Sequence, residues 1–249
     1  MTVRIVKLPL SIICLTACFI TLSSFKAGKL ALAYKGTPSL TSAKAIEINS
    51  VEYKSNLLYD SLQLDRIGLE REALKYAYKG YNAMVKKGML ENINILTVCD
   101  FSQPSGNKRM YVIDVKNFRM LVNTYVAHGK NSGVKYAHKF SNRIQSHQSS
   151  LGFYVTKGTY RGKHGLSLRL SGKEKGFNDN AERRAVVVHG AGYIGEAWSG
   201  TATQGRSFGC PAVPNAQASK VINLIKNGTA LFIYHPSKSY LHGSKLLNG

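Results

Sequence analysis

Acidic residues are scarce in this 249-residue chain: 13 Asp and Glu stand against 34 Lys and Arg, a formal charge of +21. That deficit predicts attraction to a polyanion, whether nucleic acid, an anionic membrane surface or an acidic wall polymer. Cysteine is equally sparse. Of four, Cys14 and Cys18 fall in an apolar N-terminal stretch, so the body keeps only Cys99 and Cys210 and has no disulfide framework to lean on. There is no CxxC and no His-rich spacing, which speaks against a structural zinc site. No internal repeat is present. The apolar run from Leu8 to Leu22 is short for a span, which takes about 20 residues. Disorder is excluded by an apolar fraction of 44%.

What is present at the N-terminus is the layout of an export signal. Arg4 and Lys7 precede the apolar run. Three fates stay open for residues 1–33: cleavage after Ala31-Leu32-Ala33, lipidation at Cys18 within the lipobox-like Leu15-Thr16-Ala17-Cys18, or retention as a membrane anchor. Removing this segment takes away four cations (Arg4, Lys7, Lys26 and Lys29) and no acid, leaving +17. The basic character therefore belongs to an exported body in the periplasm or cell envelope, where nucleic acid is not the expected partner. Nothing in the sequence specifies an oligomeric state.

Residues 34–54 read as a linker. Residues 55–90 carry apolar side chains at spacings of three and four, the pattern of two helices separated at Gly68 and ended at Gly88. Such a piece predicts a helical cap on the domain that follows. From residue 91 to 249 the pattern is mainly β. Strands are expected at Ile93–Phe101, Met110–Val115, Met120–Ala127, Leu151–Val155, Ser167–Leu170, Ala185–His189 and Ala230–Tyr234, with one amphipathic helix at Asn215–Lys226. Cys99 lies in the first of these runs and reads as a small buried hydrophobe, the alternative being a disulfide to Cys210.

The chemistry concentrates in two short segments. Val186-Val187-Val188 ends in His189-Gly190, a buried strand delivering an imidazole to its end. Twenty-one residues after that His comes Cys210, in Gly205-Arg206-Ser207-Phe208-Gly209-Cys210-Pro211. A Cys between Gly and Pro sits on a tight loop. A thiol with an imidazole beside it is the minimum for acyl transfer through a thioester. The N–H groups of Gly209 and Cys210 are candidates for an oxyanion site, and Ser207 for orienting the imidazole or contacting substrate. Arg206 is placed to pair with a carboxylate. Gly190, Tyr193 and His164 are further candidates for the substrate pocket, and His128 is a weaker one. Taken singly, a Cys beside Gly and a His ending a strand are each more often structural than catalytic, and only their joint appearance brings the two readings level.

The segment from about Ile93 to Pro236 resembles the murein L,D-transpeptidase catalytic domain, the YkuD-like family. It is most similar to a branch with a Ser-Phe-Gly-Cys-Pro type motif. His189-Gly190 and Ser207-Phe208-Gly209-Cys210 match the family's His-Gly and Ser/Thr-His-Gly-Cys, with Phe208 in place of the second His, a slightly long spacer, and no polar residue soon after the Cys. Ala127-His128-Gly129, Ser149-Ser150-Leu151-Gly152 and Gly176-Phe177-Asn178 add to the likeness. The resemblance implies a β-sandwich or barrel with a C-terminal helix. It also implies a cofactor-free enzyme acting on peptidoglycan stem tetrapeptides through a thioester on Cys210, sensitive to carbapenems. Two other cysteine enzyme classes fit less well: papain-like murein endopeptidases place Cys before His, and sortases use a later Arg, whereas no Arg follows Cys210. The alternative from a different class is a non-catalytic, basic wall-binding relative, which the charge alone would support.

Overall fold

The computed structural model describes residues 50–199, 201 and 203–249. The export segment and nearly all of the linker lie outside the described residues.

Helix α1 (Val51–Ser61) starts where Ser50 Oγ accepts the Tyr53 N–H at 3.0 Å. The chain is therefore helical from Val51, four residues earlier than the 34–54 linker boundary allows, because Ser50 caps the first turn. A 3-10 turn over Leu64–Ile67 stops at Gly68. Helix α2 (Arg71–Lys86) buries Ala73, Leu74, Ala77, Tyr81 and Met84 on one stripe. Gly80 lets it lie flush on the sheet, since a Cβ there would sit 2.0 Å from the Phe153 ring. Both helices share one apolar core with the strands.

The strands are β1 (Ile95–Asp100), β2 (Met110–Asp114), β3 (Arg119–Thr124), β4 (Gly152–Gly162), β5 (Gly165–Gly172), β6 (Val187–Ala191), β7 (Ala212–Pro214) and β8 (Ala230–Tyr234). They form one sheet in the order β3-β2-β1-β8-β4-β5-β6-β7. The last strand, β8, lies in its middle, parallel to β1 and antiparallel to β4. Just beyond β3, Ala127 bridges Ala212 of β7, so the two outer strands meet and the sheet closes like a barrel. The architecture is mainly β with helices, as the sequence pattern predicts.

Helix α3 (Asn215–Ile225) covers β6 and buries Ala218, Val221, Ile222 and Ile225. Two short helices not anticipated from sequence, α4 (Lys238–Gly243) and α5 (Lys245–Asn248), close the chain. Buried Glu174 holds them to the sheet. It accepts from Phe153 N–H and Tyr240 O–H, each at 2.8 Å, and from the Ser244 hydroxyl. Cys99 is fully buried in β1 and free, its thiol pushed up to about 12 by burial, so the disulfide alternative does not arise. None of the described helices is long and apolar enough to cross a membrane.

Candidate active site

The Cys loop hangs where the sheet closes. Ala212, two residues after Cys210, pairs in parallel with His189 of β6 and bridges Ala127 on its other side. Ser207 pairs with the segment after Ala127: its N–H donates to His128 O at 2.9 Å, and its carbonyl accepts from Lys130 N–H at 2.7 Å. Within the loop the Ser207 hydroxyl donates to Cys210 O at 2.6 Å and accepts the Gly209 N–H at 3.0 Å. Ser207 thus closes the loop on itself while lining the same cavity as His189 and Cys210. The Gly209 N–H is engaged by that hydroxyl and is not free for an oxyanion. The Cys210 N–H meets no acceptor among the described residues and remains available. Gly209 is required for its backbone: φ is +122°, and a Cβ would lie 2.8 Å from Gln148 O.

Cys210 is half-buried. Its Sγ accepts the Val187 N–H at 3.5 Å and donates to Ala185 O at 3.7 Å. Burial pushes the thiol above its ordinary 9.0, while the Val187 N–H, Arg184 and Lys163 pull the other way. His189 is buried, with Nδ1 2.8 Å from Gly190 O. A carbonyl only accepts, so Nδ1 carries the proton and Nε2 presents a free lone pair. Burial also pushes this imidazole below its ordinary 6.5. Both shifts favour the uncharged forms of thiol and imidazole. Among the described residues no hydrogen bond joins them, yet both line one cavity of about 660 Å³.

The other expected residues divide. His164, in the β4–β5 turn, stacks on His189 with ring centroids 4.3 Å apart and planes at 24°. Tyr193 walls the cavity, and its ring passes where a side chain on Gly205 would be. Arg206 also lines it, exposed, with one guanidinium nitrogen 3.3 Å from Lys130 O and 3.2 Å from Gly133 O. Gly190 is not among the residues that line the cavity. A Cβ there would meet Asn215 Oδ1 at 2.7 Å and the Ala218 Cβ at 3.0 Å, so its missing side chain lets α3 close on β6. His128 is fully buried and held by Arg109, whose guanidinium approaches its Nδ1 at 2.7 Å.

Two residues escaped sequence reasoning. Arg184 lines the cavity and ties down the 141–150 segment, donating to Ser141 O at 2.6 Å, Gln148 O at 2.5 Å, Ser146 Oγ at 3.2 Å and Ser150 Oγ. No local pattern marks it, because every partner lies more than 30 residues away in sequence. Phe208 was noted only as a replacement. It is 63% exposed at the cavity, stacked on His147 at 4.6 Å, with the Lys130 ammonium 4.4 Å from its ring centre.

Residues 66–234 match the family described as L,D-transpeptidase catalytic domain. No curated protein matches the chain. Among solved structures, an L,D-transpeptidase from Mycobacterium smegmatis is 15% identical, with 57% of this chain and 59% of that one covered at a TM-score of 0.35. L,D-transpeptidase 1 of Mycobacterium tuberculosis is 14% identical, with 57% and 62% covered at 0.32. An L,D-transpeptidase from Stackebrandtia nassauensis is 13% identical, with 75% and 93% covered at 0.33. The chain thus spans about three fifths of the two mycobacterial proteins.

Proposed function

The chain belongs to the L,D-transpeptidase catalytic-domain family, and we propose that it is an exported cysteine acyltransferase acting on peptidoglycan stem peptides. Cys210 Sγ attacks the carbonyl of the third residue of a stem tetrapeptide while its proton passes to His189 Nε2. The developing oxyanion takes the Cys210 N–H. The bond to the terminal D-Ala breaks as the proton on Nε2 moves to the departing amine, leaving a thioester. An acceptor amine, or water, then attacks the thioester carbonyl with His189 again as base, giving a 3→3 cross-link or a shortened stem. The observation that carries this reading is the His189 tautomer. Its Nδ1–H is committed to Gly190 O, so the basic nitrogen is left for the thiol that lines the same cavity.

Neutral partners suit this division of labour. Proton transfer occurs on encounter with substrate, and no standing thiolate waits to be oxidised. The chemistry requires no metal or cofactor. Membrane attachment through residues 1–33, by lipidation at Cys18 or as an uncut anchor, belongs to the same proposal.

Intact mass tests it. The body from Tyr34, incubated with a stem tetrapeptide or a carbapenem, gains one covalent adduct, and Cys210→Ala gains none. An unmodified native protein with a titratable Cys210 thiol would favour the second reading, a wall-binding relative without activity. Phe208 at the position of the family's second His is the observation that keeps that reading in play.

A further inference from the structure

Beside the catalytic cavity lies a second recess, of about 370 Å³, walled by the segment 130–139 and by Arg206. Arg206 lines both, so the two spaces adjoin at that guanidinium. The smaller one is lined by four cations, Lys130, Lys135, Lys139 and Arg206, and by no acid. Only three ion pairs occur among the described residues, Arg71–Asp60, Lys75–Glu52 and Lys108–Glu196, and none involves this group. Aromatic faces and carbonyls meet three of the four instead. Lys130 lies over Phe208, Lys135 stands 5.6 Å from the Tyr136 ring centre, and Arg206 is braced by Lys130 O and Gly133 O. Four like charges converging on a recess repel one another unless a ligand neutralises them, and low-dielectric walls sharpen the field inside it.

We propose that this recess is an exosite for a phosphodiester polymer of the envelope, running past Arg206 toward the catalytic cavity. A single carboxylate satisfies one guanidinium. Four cations around one recess fit repeated anionic groups along a chain. Tyr136 in its wall lies 6.2 Å from the His138 ring and 5.6 Å from the Lys135 ammonium, so single-stranded nucleic acid and anionic lipid are outcomes that the test distinguishes. The choice of an envelope polymer rests on the export reading. The charge argument does not, and the test therefore measures binding in a chain that cannot turn over.

The probe is an oligomer of poly(glycerol phosphate), titrated into the body carrying Cys210→Ala. The expected result is saturable binding that weakens at least tenfold in a Lys135→Glu/Lys139→Glu variant and is unchanged in a Lys220→Glu/Lys238→Glu variant, which alters the same net charge on α3 and α4. The salt dependence of log affinity should flatten by about one unit per cation removed. Lys135 and Lys139 are exposed, and thermal melting of each variant verifies folding. Lys135→Gln/Lys139→Gln should give a smaller loss in the same direction. Equal losses in both Glu variants would overturn the proposal by reducing it to net charge. Tighter binding to single-stranded DNA or to anionic phospholipid vesicles than to the oligomer would overturn the assigned ligand.

Discussion

Two histidines flank the Cys loop, and the difference between them decides which one has a nitrogen free to take a proton. His128 and His189 both lie in a His-Gly pair, both are buried, and Ala212 pairs with His189 itself on one side and with Ala127, the neighbour of His128, on the other. Their hydrogen bonds are opposite. At His128, Nδ1 faces the Arg109 guanidinium, which only donates, so Nδ1 accepts and the proton sits on Nε2, directed to Gly133 O at 3.2 Å. Both nitrogens are then occupied, and burial beside Arg109 pushes the ring down to about 4. At His189 the proton sits on Nδ1 and Nε2 stays basic. One ring is a fixed strut and the other keeps a free basic nitrogen for the proposed proton transfer, and the sequence around each is nearly the same.

Substitutions at the two rings should separate these roles. His189→Ala should cut the rate of adduct formation at Cys210 by about 10²–10⁴ with little loss of stability, as removal of a general base does. His128→Ala should cost about 2–3 kcal/mol of stability by leaving buried Arg109 short of an acceptor, and should reduce adduct formation far less. Parallel urea melts and mass spectrometry check both. If His128→Ala silenced the thiol in a fully folded protein, the distinction between the two rings would fail.

Next in size is the loop itself. Gly209→Ala forces φ of +122° on a residue with a Cβ and drives that Cβ toward Gln148 O. A displacement of about 1 Å at the nucleophile should lower adduct formation by about 100-fold while Cys210 remains titratable.

Acid should expose the strut. The folded His128 binds its proton only near pH 4, whereas the unfolded chain does so near 6.5. Between these values the unfolded state holds more protons, so stability falls as pH drops through the window, by about 3 kcal/mol in all. His128→Gln should flatten that slope in urea midpoints measured across the range. The smallest effect is expected at Ser207→Ala, which removes the hydroxyl bridging Gly209 N–H and Cys210 O for about 1 kcal/mol.

How much of this was legible in advance follows from the range of the forces involved. Strands β1, β2 and β8 and helix α3 are read closely from sequence because their burial repeats locally in Val, Ile and Leu. β4 runs to Gly162, well past the expected Val155, because its outer half pairs with β5 through Thr159, Tyr160 and Arg161, polar or partly exposed residues that do not look like core. β7 escaped notice because it is three residues long and ends in proline. At the site, Cys210 and His189 were visible as residue types in the right loops. The roles of Ser207, Gly209 and Gly190 were not, since each depends on what stands opposite: a loop hydroxyl, the Gln148 carbonyl, the Asn215 and Ala218 side chains. Arg184 depends wholly on partners from 141–150.

The place of β8 has a consequence for when the fold can be completed. Leu96 and Ala230 are neighbours in the middle of the sheet although 134 residues separate them along the chain. Until residues 230–234 have been synthesised, β1 and β4 have no strand between them and the two halves of the sheet cannot join. Contacts of such long range form slowly. The sheet therefore closes around a strand that is made long after the one it pairs with, and the two halves become one core only when β8 has been placed.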